Sequence, residues 1–161
     1  MNIENTFQEL SLQPRVNDIT ELFRLQETLV YKEFTYETRP DGNFVCPIDK
    51  SALPAWVKTM YPNLYAETNF FIFLKNKGGV KRHIDVSRKC VATFPLVPII
   101  QPTCFFKTYD DEIPYAKLTH GTKAYLQDVS QIHGVSECKE ERIFFQIAFK
   151  KKTYQEMLQL I

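Results

Sequence analysis

The feature that most limits how this chain can fold is a change of texture near residue 69. From there to residue 149 the sequence runs as short segments rich in Phe, Ile, Val and Tyr, separated by turn formers. That is the pattern of successive strands. The segments 69–74, 81–86, 89–96, 103–108, 122–127 and 142–149 are the candidates, and Gly78–Gly79 supplies a tight reversal after the first, because glycine takes positive φ without a Cβ clash. Six or more strands with short connections point to a sandwich or barrel rather than a sheet built from βαβ units.

The flanking segments read differently. Between 16 and 29 the apolar residues Val16, Ile19, Leu22, Phe23 and Leu29 recur at helical steps, with Asp18 near the start where a carboxylate meets free N–H groups. Residues 39–43 carry turn chemistry. A short helix is expected over 51–61, with Pro54 in its first turn and Pro62 stopping it. At the far end Tyr154, Met157, Leu158 and Ile161 fall at helical spacing, which suits a helix packed on the outside of the β core or against a partner, so a homodimer is an expectation. The whole, 1–161, is read as a single α+β domain: a helical part over 1–68, a β core over 69–149 and a terminal helix over 150–161.

Composition narrows the function classes. At 161 residues and 44% apolar content the chain can bury a core without covalent staples, and its four cysteines show no Cys-x-x-Cys pair. A reduced thiol set is the default, with Cys90 and Cys104 acting as small hydrophobes. Twenty basic residues against nineteen acidic give a formal charge of +1, so no bulk attraction to nucleic acid or an anionic membrane is expected. The N-terminus lacks the build of a secretory signal, and no apolar run approaches bilayer length. A cytoplasmic location is expected, the host cytoplasm if the source is viral.

The residues that carry chemistry are few. His83 and Asp85 stand two apart at a strand edge, where the alternation of a strand puts i and i+2 on one face. His133 follows fifty positions later, just past the apolar segment ending at Gln127, and reaches the same face if the sheet closes on itself. Two imidazoles and one carboxylate on one side of a metal leave coordination positions open, the arrangement of non-haem Fe(II) oxygenases. Nine residues on, Arg142 opens an apolar strand, where a permanently charged guanidinium calls for a carboxylate. Taken singly these signals are weak. His-x-Asp occurs by chance, a histidine before a glycine is commonly a loop residue, and Arg142 has Glu140 and Glu141 as alternative ion-pair partners. Their order and spacing together make the pattern specific.

The segments RHIDVSRKCVATFPL and GTKAYLQDVSQIHGVSECKEERIFFQIAFK resemble the 2-oxoglutarate/Fe(II) dioxygenase superfamily, and within it the aspartyl/asparaginyl β-hydroxylase-like group, which includes free-proline hydroxylases and small viral and bacterial members. The likeness covers about half of the chain. It implies a double-stranded β-helix, a cupin-like jelly roll with the metal in one mouth. It implies that His83, Asp85 and His133 bind Fe(II) and that Arg142 grips the distal carboxylate of the cosubstrate 2-oxoglutarate. By position, Arg88, Lys89, Phe71 and Phe73 would line the cosubstrate or substrate pocket. Dioxygen and a small molecule or amino-acid-type side chain would be the other reactants, a C–H bond being hydroxylated. Oxygenases of the superfamily that repair alkylated bases carry a second arginine six residues after the first; here that position is Ala148, which argues against a nucleic-acid substrate.

Three other readings compete. A non-catalytic cupin-like binding protein would keep the barrel without oxygen chemistry. A viral structural jelly roll would make the histidines incidental. A zinc hydrolase would use the same three ligands but leave Arg142 without a role. His120, before Gly121, reads as a turn residue or a polar group at the pocket mouth, and the acidic stretch 109–112 reads as solvated surface.

Overall fold

The computed structural model describes residues 5–34, 42–137 and 139–161. Residues 39–41 of the expected turn, and Cys138, lie outside them. In chain order the elements are β1 (Phe7–Glu9), α1 (Val16–Glu27), β2 (Lys32–Glu33), β3 (Asn43–Ile48), a 3-10 turn (Lys50–Ala52), α2 (Ala55–Met60), α3 (Pro62–Ala66), β4 (Phe70–Asn76), β5 (Val80–His83), β6 (Cys90–Pro95), β7 (Thr103–Phe106), β8 (Ala116–Leu118), β9 (Tyr125–Gln127), β10 (Ile132–Val135), β11 (Arg142–Phe149) and α4 (Tyr154–Leu158).

All named strand pairs are antiparallel. They form two sheets, a seven-stranded one in the order β1-β9-β6-β11-β4-β3-β2 and a four-stranded one in the order β5-β10-β7-β8. The alternation of side chains along the large sheet divides its two faces. On β11, Ile143, Phe145, Ile147 and Phe149 join Phe71, Phe73, Ala92, Phe94 and Leu126 in the main core under the helices. Arg142, Phe144 and Gln146 point the other way, into the space facing the small sheet. Phe71, Phe73, Phe94 and Phe145 are fully buried, and the ring of Phe145 lies 5.2 Å from that of Phe73 and 5.7 Å from that of Phe94.

The helices cover the outer face. Leu22 of α1, Val57 of α2, Leu64 of α3, and Tyr154 and Met157 of α4 all enter the main core. Tyr61, between α2 and α3, stacks edge-on to Phe94 and donates to the Leu12 carbonyl at 2.7 Å. Tyr154 and Met157 of α4 are thus used inside the chain, the first of the two packings expected for this helix. No helix among the described residues is long and apolar enough to cross a membrane.

Several sequence expectations need adjusting. The β core does not begin at residue 69: β1, β2 and β3, all in the part read as helical, belong to the large sheet. β1 and β2 are too short for alternation to show. β3 contains Pro47, which argues against a strand; it fits because β2 pairs only with Phe44 and Val45, leaving Pro47 on an open edge. α2 ends at Met60, just before Pro62 as expected, and Pro62 in turn opens α3, at the first helical position where a missing N–H costs nothing. The reversal after β4 is as expected, with φ of +90° at Gly78 and +83° at Gly79. A Cβ on Gly79 would also stand 2.8 Å from the carbonyl oxygens of Val135 and Ser136.

Candidate metal centre and anion pocket

The two sheets enclose a cavity between their inner faces, lined by His83, Asp85, Arg88, His133, Arg142 and Gln146 among others, with apolar walls from Leu74, Val80, Val91, Val129 and Phe144. About 70 Å³ of it is open to the centres of water-sized molecules. His83, Asp85, His133 and Arg142, singled out from the sequence, are on its wall, and so is Arg88.

Local structure explains how they meet. His83 ends β5 and His133 sits on β10, directly opposite in register, with ring centroids 4.4 Å apart. His133 is therefore a strand residue, not part of a loop after one. The glycine beside it is needed for this pairing: a Cβ at Gly134 would lie 3.1 Å from the Val80 carbonyl oxygen and 3.2 Å from the Arg82 nitrogen. β5 stops at His83, so Asp85 is not placed by strand alternation. Its N–H instead donates to the Val129 carbonyl at 3.0 Å, which turns the carboxylate back over the histidines.

The tautomers follow from the backbone. His83 Nδ1 lies 2.8 Å from the Lys81 carbonyl oxygen and His133 Nδ1 lies 2.8 Å from that of Gln131. Each Nδ1 must carry the proton in those bonds, so each neutral ring presents an Nε2 lone pair. His83 Nε2 is buried without a hydrogen-bond partner and faces Asp85 Oδ1 at 3.3 Å. Two lone pairs held face to face repel unless a proton or a cation lies between them. Ligand atoms of His83, Asp85 and His133 all fall within 4.8 Å of one another. The donor set and its orphaned nitrogen fit a divalent metal ion.

Electrostatics agree with that fit. Burial would raise the Asp85 carboxyl, but a hydrogen bond from the His83 ring when that ring is protonated, with the charges of Arg88 and of the protonated histidines, outweighs it and holds the group at about 2. Burial, with the neighbouring His83, pushes the His133 imidazole down to about 4. At neutral pH the site thus offers a carboxylate and a neutral imidazole, the ligating forms.

Arg142 is buried on the same wall, opposite Asn76 in the β4 register, with its guanidinium carbon 4.8 Å from the centre of the Phe144 ring. Glu140 and Glu141 are exposed. Arg88 reaches the wall too. It donates to Asp85 Oδ2 through Nη2 and to Gln146 Oε1 through Nη1 at 3.0 Å.

The other sequence-based pocket residues fall elsewhere. Phe71 and Phe73 point into the main core, because Ile72 and Leu74 take the inner face of β4; Lys89 is exposed. Asp111, in the acidic stretch, accepts from the backbone of Lys107 and Thr108 and so shapes its own loop. His120 adjoins a turn, yet its ring is buried rather than at a mouth. Nδ1 lies 3.3 Å from the Lys123 carbonyl and Nε2 accepts from Gln127 at 3.2 Å. Gln127 and Gln146 were missed. The available signal for Gln146 was its position two and four residues from Phe144 and Arg142, a polar side chain on the inner face of an otherwise apolar strand.

His120 gives a pH test of the fold. Burial pushes its imidazole down to about 4, against the Lys123 carbonyl and with the help of the Arg142 charge. The unfolded value is about 6.5, so the unfolded chain binds the proton first. This contribution to stability is present above about pH 6.5 and is lost as pH falls towards about 4, up to about 3 kcal/mol. His120→Gln is expected to flatten that acid limb in urea unfolding of the metal-free protein. An unchanged limb would contradict the assignment.

No protein-family model matches the sequence, and no curated protein matches it. Solved structures do match. A Pseudomonas putida prolyl-4-hydroxylase superposes with a TM-score of 0.63 at 13% identity, over 92% of this chain and 94% of that one. A prolyl hydroxylase from Trichoplax adhaerens, in complex with a hypoxia-inducible-factor peptide fragment, gives 0.62 at 12% identity, over 91% and 84%. HygX from Streptomyces hygroscopicus, with nickel and 2-oxoglutarate bound, gives 0.61 at 10% identity, over 92% and 85%. At these identities the likeness is one of fold: the chain is a cupin-like jelly roll of the kind found in 2-oxoglutarate/Fe(II) oxygenases.

Proposed function

We propose that this protein is a non-haem Fe(II) oxygenase that uses 2-oxoglutarate and dioxygen to hydroxylate a C–H bond of a small molecule or an amino-acid side chain. The observation that carries the reading is the grouping of one ligand atom each from His83, Asp85 and His133 within 4.8 Å of one another, on the wall of a cavity that Arg142 also lines. His83, Asp85 and His133 would hold the iron. The finer placement in the aspartyl/asparaginyl β-hydroxylase-like group rests on the two sequence segments 82–96 and 121–150.

When bound, iron with 2-oxoglutarate supplies the oxidising chemistry, in which dioxygen, the oxo acid and a substrate C–H bond yield succinate, carbon dioxide and an alcohol. The chain's own residues bind, orient and shield. Three protein donors leave the remaining coordination positions for cosubstrate and dioxygen. Arg142 gives the distal carboxylate of 2-oxoglutarate a charge-assisted, two-pronged partner. The walls from Leu74, Val80, Val91, Val129 and Phe144 keep water from the reacting atoms and strengthen that pair. Among the structural neighbours one holds a peptide and another hygromycin B, which supports both substrate classes as compatible with this barrel.

The test is uptake of one equivalent of Fe(II) or Ni(II), with succinate formed from 2-oxoglutarate only in the iron-loaded protein. Metal uptake without succinate formation across amino-acid, peptide and small-metabolite panels would favour the non-catalytic barrel, and zinc-dependent hydrolysis would favour the hydrolase.

A further inference from the structure

Arg88 stands between the proposed metal site and the wall of the large sheet, and its contacts separate the two oxygens of Asp85. Oδ1 faces His83 Nε2 at 3.3 Å and Oδ2 accepts from Arg88 Nη2. The other arm of the guanidinium donates to Gln146 Oε1 at 3.0 Å, and Gln146 Nε2 donates to Thr93 Oγ1 at 3.0 Å. Thr93 is buried on β6 and Gln146 lies on central β11, so the chain of bonds ends on the most deeply paired strands of the large sheet. Asp85 itself lies past the end of β5, in a segment whose neighbours Ile84 and Val86 are exposed. Its own N–H also ties it to the barrel, through the Val129 carbonyl.

We propose that Arg88 is a positioning residue that makes Asp85 a one-oxygen donor, capping Oδ2 so that only Oδ1 faces the site, with Gln146 and Thr93 as its brace. The inference rests on the functional reading above. A carboxylate with both oxygens open can grip an ion through both and take up a coordination position that the chelating cosubstrate needs. A carboxylate with one oxygen capped by a braced guanidinium cannot. Two effects of Arg88 oppose each other: its charge repels a cation, while its hydrogen bonds pre-order the ligand. Outer-shell partners of metal ligands usually act through the second effect, their loss lowering affinity by about 10- to 100-fold.

The experiment is an anaerobic titration of the whole chain with Ni(II), and with Co(II) followed by its ligand-field absorption. Arg88→Met is expected to bind Ni(II) about 10- to 100-fold more weakly than wild type and to shift the Co(II) spectrum. Gln146→Leu leaves the ion pair but removes its brace, and should lose affinity in the same direction to a smaller extent. Arg88→Lys keeps a positive charge in the wall and so guards against a folding defect. A single ammonium cannot hold Asp85 and Gln146 together, so it should recover only part of the loss. Ni(II) affinity and Co(II) spectrum unchanged in both Arg88 variants would overturn the inference, as would a loss confined to 2-oxoglutarate affinity, which would make Arg88 a cosubstrate ligand instead. A wild type that takes up no divalent ion would overturn the proposed function itself, and this inference with it.

Discussion

Asp85→Ala is expected to lose stoichiometric Fe(II) uptake and, with it, all 2-oxoglutarate turnover. The expected fall in affinity exceeds the roughly 10- to 100-fold that follows loss of an outer-shell partner, because the only carboxylate among the three grouped donors is removed. The variant has a second consequence in the metal-free protein. Arg88 would keep its bond to Gln146 but lose its ionic partner, and breaking one side of a buried pair costs about 3–5 kcal/mol. Both side chains are 10–12% exposed at the cavity wall, so the lower end applies. Urea unfolding without metal, beside a Ni(II) titration, separates the two effects. Uptake of one Ni(II) with wild-type affinity by Asp85→Ala would remove this residue from the ligand set.

Arg142→Ala is expected to act on the cosubstrate and leave the metal in place. Truncating one partner of a buried, hydrogen-bonded charge pair costs about 2–5 kcal/mol, and each 1.4 kcal/mol is about tenfold. The 2-oxoglutarate requirement should therefore rise by roughly 30- to 4,000-fold, while Ni(II) affinity stays within about a factor of three of wild type. Steady-state succinate formation over a range of 2-oxoglutarate concentrations reads the first effect and calorimetry the second. Arg142→Lys should recover part of the loss, since an ammonium keeps the charge but not the planar fork. A wild-type requirement in Arg142→Ala would place the carboxylate elsewhere.

The sequence carried the site better than it carried the frame around it. His83, Asp85, His133 and Arg142 could be read from order and spacing because a metal and an anion demand particular residue types, whatever elements bear them. β11 is legible to the residue, since six buried apolar residues, interrupted only by Gln146, follow Arg142 and fall on both faces. β10 is not: Ile132–Val135 contains His and Gly, the two residues that the site and the close approach of β5 require. Asp85 was placed on the right side for an incomplete reason. Strand alternation ends at His83, and a bond from the Asp85 N–H to Val129, 44 residues away, completes the turn. Such long-range contacts leave no mark on local sequence. The same holds for Arg88, whose partners Asp85 and Gln146 are 3 and 58 residues distant. Phe71 and Phe73 were assigned to the pocket when they belong to the core because both faces of β4 are apolar, so composition alone does not tell which one meets the helices.

The central claim is that one cavity holds both Fe(II) and 2-oxoglutarate, and the most direct measurement is the visible spectrum of the metal-free protein mixed anaerobically with both. The account gives a weak charge-transfer band in the wild type, absent in Asp85→Ala and, at limiting 2-oxoglutarate, in Arg142→Ala. A folded wild type that shows no band at saturating Fe(II) and 2-oxoglutarate would contradict it.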